Sequence, residues 1–186
     1  MSEIKKDIPY KVQKGNRPKI EEVISFCLDG ELREAALGFA AWLRENSLKI
    51  TLHSSTTRGH NVKIDGEYLC LMLFYGEHDW NHVGKHYPGD PPYWSVSPVL
   101  LRWAEYEEII VSEGWQGIFW DNMRYCNNCL SLERCTGAVS KTFFGRDLEG
   151  LCKPSTPART TIRNPDEAML SAIKRLILLE KTARKK

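Results

Sequence analysis

The chain has 186 residues, 42% hydrophobic and 27% charged, with a formal net charge of +2. That length predicts one domain with a sizeable core, since a chain of about 150 residues already buries roughly 70% of its unfolded surface. So small an excess of positive charge does not favour a nucleic-acid partner. The longest apolar run, Tyr68 to Tyr75, falls far short of the roughly 20 residues a helix needs to cross a bilayer, so no membrane partner is expected.

Residues 1–18 read as a flexible N-terminal arm, with charges mixed among Gly15, Asn16 and Pro18 and no apolar period. Met1 to Asp7 carries early acidic residues and no apolar run behind them, unlike a signal peptide. The expected location is cytoplasmic, where thiols stay reduced. Six cysteines there read as metal ligands, reactive thiols or small core residues rather than disulfides.

Ile20, Val23, Ile24 and Cys27 recur at helical spacing behind Pro18 and predict a short helix over 19–27, which Asp29-Gly30 breaks. A second helix is predicted over 31–46, with Leu32, Ala35, Ala36, Phe39, Ala40 and Leu43 on one face. The period then changes to two. His60 to Ile64 alternates, Asp65-Gly66 is a two-residue turn signal, and Tyr68 to Tyr75 is continuously apolar, which predicts a β-hairpin with a central, buried second strand. A further strand is expected around Asp79 to Val83, and a loop with aromatic anchors from Gly84 to Pro98. Helix resumes near Leu100, is interrupted at Gly114 and Gly117, and continues through Ile118, Phe119 and Met123. Asn164-Pro165-Asp166-Glu167 is predicted to open the last helix, with Asn164 as N-cap and Met169, Ala172, Ile173, Leu176 and Ala183 as its buried stripe.

The fold expected of residues 19–186 is a single α+β domain. A small antiparallel sheet is packed by N- and C-terminal helices, with a cysteine-rich metal-binding loop over about 124–155.

That loop carries Cys126, Cys129, Cys135 and Cys152 in the spacing C-x2-C-x5-C-x16-C. A C-x2-C pair is a knuckle that turns two thiolates toward one ion, and two further sulfurs complete the tetrahedron that zinc accepts, with Zn–S distances of about 2.3 Å. Asn127, Asn128, Thr136 and Gly137 suit the tight turns this needs. Four thiolates leave no open coordination position, so the ion would hold the fold rather than do chemistry. An iron–sulfur cluster is the alternative on the same ligands, and buried apolar cysteines are the metal-free alternative. A redox pair at Cys126 and Cys129 is disfavoured, because a helical segment from Trp120 to Tyr125 would present its negative end to Cys126.

Ala41 to Asn46, the β-hairpin, Tyr125-Cys126-x2-Cys129, Cys135, Phe144-Gly145-Arg146 before Cys152, and Asn164-Pro165 before the last helix together resemble a group of small uncharacterised bacterial proteins. The resemblance covers the chain from about residue 30 onward and implies no activity. Members of that group place the third cysteine nearer the pair and follow it with Pro-Gly; here five residues intervene and Thr136-Gly137 follows.

Three other constellations stand out. His78, His82 and His86 have ligand-like spacing, but Gly76, Gly84 and Pro88-Gly89 argue against the helix that would align them, so surface or loop histidines are expected. Trp80, Trp94 and Trp120, among neighbouring tyrosines, are candidates for an aromatic ligand site, against the plainer reading of rings filling a core. Trp120-Asp121-Asn122 stands beside the knuckle and could orient it through hydrogen bonds. The stretch Ser54 to His60 is expected to be a solvated polar loop.

No catalytic motif is present. The leading expectation is a non-catalytic, zinc-stabilised protein that binds a small molecule or partner protein. A thiol-redox or iron–sulfur enzyme using Cys126 and Cys129, and a nucleic-acid-binding module, are the alternatives.

Overall fold

The computed structural model of this chain describes residues 17–54, 56–76, 91–100, 102–123, 125, 138–152 and 160–184. The chain divides into two compact units: one runs to Val96 and includes Arg163–Pro165, the other holds Ser97–Ile162 and Asp166–Lys186.

In the first unit, α1 (Ile20–Cys27) buries Ile20, Val23, Ile24 and Cys27, the four positions whose spacing predicts it. Lys19, not Pro18, precedes its first turn, and the Lys19 N–H donates to the Glu22 carboxylate at 2.9 Å, satisfying a donor outside the helical ladder. The predicted second helix is α2 (Gly30–Glu45), which buries Ala36, Phe39, Ala40 and Leu43. A five-stranded antiparallel sheet follows in the order β1 (Lys49–Leu52), β2 (Gly59–Ile64), β3 (Glu67–Tyr75), β4 (Tyr93–Pro98) and β7 (Ile162–Arg163).

The β2–β3 hairpin is the predicted one. Asp65 and Gly66 both have positive φ, 49° and 87°, the requirement of the tight turn that matches strand twist. β3 is the middle strand of the five. A register shift between Val62 and Lys63 marks a bulge in β2. Of the loop expected over Gly84 to Pro98, the last six residues are strand β4, a correction. Proline density hid the strand from the sequence. Pro98 takes its final position, where a missing ladder N–H costs least. The expected strand around Asp79 to Val83 lies outside the described residues, as do residues 1–16 of the expected arm. Rings close this core: Trp94 stacks on Phe74 with centroids 6.4 Å apart, and Phe39 reaches Trp94 at 6.0 Å.

In the second unit the helix expected from Leu100 is three short pieces: a 3-10 turn (Trp103–Tyr106), α3 (Glu107–Ser112) and α4 (Gln116–Asp121). The stretch expected to be a cysteine-bearing loop contains a second antiparallel hairpin, β5 (Ala138–Phe143) with β6 (Arg146–Cys152). Its turn again places two residues at positive φ, Phe144 at 52° and Gly145 at 74°. The last helix, α5, spans Glu167–Ala183. Its N-cap is Asp166, whose Oδ1 accepts the Met169 N–H at 2.8 Å. Asn164, the expected cap, instead exchanges two hydrogen bonds with Trp94, N–H to carbonyl at 2.8 Å and Oδ1 from the Trp94 N–H at 3.0 Å.

The buried stripe of α5 includes the expected Ala172, Ile173 and Leu176, but Leu170, Ile177 and Glu180 complete it rather than Met169 and Ala183. Leu176 joins Leu100, Tyr106, Ile110, Phe119, Met123 and the hairpin residues Phe143, Phe144, Leu148 and Leu151 in one apolar cluster. Among the described residues no helix is long and apolar enough to cross a membrane.

Candidate functional site

Cys126, Cys129 and Cys135 lie outside the described residues, whereas the backbone of Cys152 ends β6. What the structure describes is the chain on either side of the three. Tyr125, the residue before Cys126, forms an isolated antiparallel bridge with Leu151. Ala138, three residues after Cys135, pairs with Cys152, and Val139 pairs with Leu151. Because Leu151 is paired with Tyr125 and with Val139, Tyr125 and β5 flank β6 on opposite sides. Adjacent strands stand about 4.8 Å apart, so Tyr125 and Ala138, the described residues on either side of 126–137, stand roughly 10 Å apart with the end of β6 between them. The segment could span several times that distance if extended.

The opposite end of the same hairpin is anchored by aromatic rings. The Trp120 Nε1–H donates to the Phe143 carbonyl at 2.9 Å, and the Arg146 guanidinium lies over the Trp120 ring at 5.3 Å. Trp103 meets Phe143 edge-on at 5.2 Å, and Phe119 meets Phe144 at 5.4 Å. Trp120, singled out as a ligand contact, thus has its one donor engaged within the fold. Asn122, beside it, donates to the Ile118 carbonyl at 2.9 Å. α4 ends at Asp121 and not near Tyr125, so the helix-dipole argument against a redox pair at Cys126 does not apply.

Trp94 is fully buried in the first unit. Trp80, His78, His82 and His86 lie outside the described residues. Cys27 and Cys70 are buried and belong to no disulfide, and burial pushes the Cys70 thiol well up, so both serve as small core residues. Among the described residues no group of three or more His, Cys, Asp or Glu side chains is arranged to hold a metal.

The stretch expected to be a solvated loop is the clearest correction. Of Ser54 to His60, Thr56, Thr57, Arg58 and His60 are buried, Arg58 and His60 at 3% exposure. The Arg58 N–H donates to Thr56 Oγ1 at 3.1 Å, the Arg58 carbonyl accepts the Phe74 N–H at 3.0 Å, and the guanidinium stacks over Phe26 at 4.5 Å. No sequence pattern announces this, because polar residues at period two describe a solvated strand as well as a buried one. Gly59 is the local signal that could have been read. A Cβ there would meet His53 Cβ at 2.9 Å, a close approach that only glycine permits.

In the second unit Glu180 is likewise buried, and its Oε1 accepts from Arg184 Nε at 2.9 Å. Burial and the adjacent Glu180 carboxylate push the Tyr106 phenol up to about 12. Compared with protein-family models, curated proteins and solved structures, the chain matches none.

Proposed function

We propose that this is a non-catalytic, metal-stabilised protein in which Cys126, Cys129, Cys135 and Cys152 together hold one structural zinc ion. A single observation carries the reading: Tyr125 and Ala138, which flank the segment with the first three cysteines, are both paired beside the strand that ends in the fourth. The reading takes the four thiolates, far apart in sequence, to meet at that end of the β5–β6 hairpin, which the pairing of Tyr125 and Ala138 beside β6 supports. Four sulfurs satisfy the tetrahedral demand of zinc and leave no site for substrate. A further physical reason supports a stabilising ion there. A lone two-stranded hairpin is marginal in water, and this one has its large apolar residues at the turn end and in β6 rather than at Ala138.

The function such a scaffold serves would be binding of a small molecule or partner protein. Trp80 and Trp120 are the aromatic candidates that remain for it, since Trp94 is enclosed in the core.

Metal analysis of the full-length protein, purified under reducing conditions, tests the site. The expected result is one zinc per chain, lost together with the stability of the second unit in Cys129→Ser, because ion binding contributes folding free energy directly. Iron with visible absorption would replace zinc by a cluster. Absence of any metal, or an unchanged melting transition in Cys129→Ser, would remove the proposal.

A further inference from the structure

His60 is the buried titratable group for which the metal reading has no use, and its surroundings suggest a role. It lies in β2, paired across the ladders with Leu52 on one side and Met72 on the other, and its ring meets Phe74 edge-on at 6.2 Å. Among the described residues neither ring nitrogen makes a hydrogen bond of normal geometry. After burial, the Pro18 carbonyl is the strongest influence on the ring, and it favours the charged form.

Among the described residues, the charged groups that act on the ring come from both helices. Glu21 of α1 favours the imidazolium, and Arg44 of α2 opposes it. These two are paired with each other, so their effects on the ring largely offset. Leu52, Met72 and Phe74, from the flanking strands, carry no charge. Arg58, two residues earlier, is a buried cation stacked on Phe26 of α1, which packs against β3.

We propose that His60 is an acid-sensitive latch: an uncharged ring that lets α1 close over the sheet near neutral pH and loosens that closure once it is protonated.

The physical argument is desolvation. An imidazolium in this position would face apolar strand side chains with chiefly the Pro18 carbonyl to favour it, and an unsolvated charge is far costlier than an unsolvated neutral ring. Burial accordingly holds the imidazole down to about 4, from an ordinary 6.5. The sign follows from linkage. The unfolded chain takes up its proton near 6.5 and the folded chain only near 4, so acid favours the unfolded form throughout that interval. The stabilisation is complete above the upper value and is lost progressively toward the lower.

Amide hydrogen exchange in β2 and β3, followed by NMR on the full-length protein, tests this for the wild type beside His60→Leu and His60→Gln. Between about pH 7 and about pH 5 the wild type should lose about 20-fold more protection than either variant, after correction for intrinsic exchange. The His60 ring itself should titrate near 4. Equal losses in all three proteins, or a ring that titrates near 6.5, would overturn the proposal. Should His60→Leu not fold, the glutamine variant and the ring titration still decide. Cysteine protonation is common to all three proteins, so failure of the zinc reading would not affect this comparison.

Discussion

Glu180 stands on α5 where the helical period calls for an apolar side chain, and only 1% of it is exposed. It is tolerated there because Arg184, one turn later, supplies the counter-charge and anchors in turn on the Val99 carbonyl at 3.3 Å. Breaking a buried pair costs more than never having had one, since the remaining charge stays desolvated. Glu180→Ala should therefore lower the unfolding free energy by about 3 kcal/mol, measured by urea denaturation. A loss no larger than a surface substitution causes would mean that solvent reaches the guanidinium. Arg58 differs in kind: its guanidinium is stacked on a ring, an arrangement that shields the charge from water while the ring face compensates it. Neither residue is conspicuous in the sequence, where an arginine in a Ser/Thr-rich stretch and a glutamate in a long helix both describe surface.

At the scale of elements, legibility followed the strength of local signals. α1, α2 and the β2–β3 hairpin combine clean periodicity with an unambiguous turn, and all three formed where expected. The β5–β6 hairpin was not expected, because β5 has only Val139 and Phe143 as large apolar residues and its turn begins with a phenylalanine in the left-handed region. That residue is held by tertiary packing against Phe119 and Trp103 rather than by turn propensity. The start of α5 shows the same competition. Two residues, Asn164 and Asp166, could each cap the helix, and the partner that decided between them was Trp94, seventy positions away in sequence. Asp166→Ala should cost about 1 kcal/mol, visible as a lower melting temperature with the fold retained. Unchanged stability would show that another acceptor replaces its carboxylate.

At the scale of the whole molecule, the chain forms two compact units, and all four cysteines of the proposed zinc site belong to the second. Chelation should therefore reduce amide protection in β5 and β6 while leaving that of β2 and β3 in place, which hydrogen exchange in the full-length protein resolves. Uniform loss across both hairpins would contradict a metal that serves one unit.

Composition and periodicity by themselves determined an α+β protein with N-terminal helices, a buried central strand and a cysteine spacing compatible with one tetrahedral ion. These are properties of neighbouring residues, set by turn chemistry and by the repeat of apolar side chains along a helix or strand. Only the tertiary structure decided that Tyr125 and Ala138 both pair beside the end of β6, that Asn164 serves a strand rather than a helix, and that Arg58 and His60 are buried rather than solvated. Each of those depends on a partner distant in sequence, and burial is a property of what covers a residue, which no local pattern of polar and apolar side chains encodes.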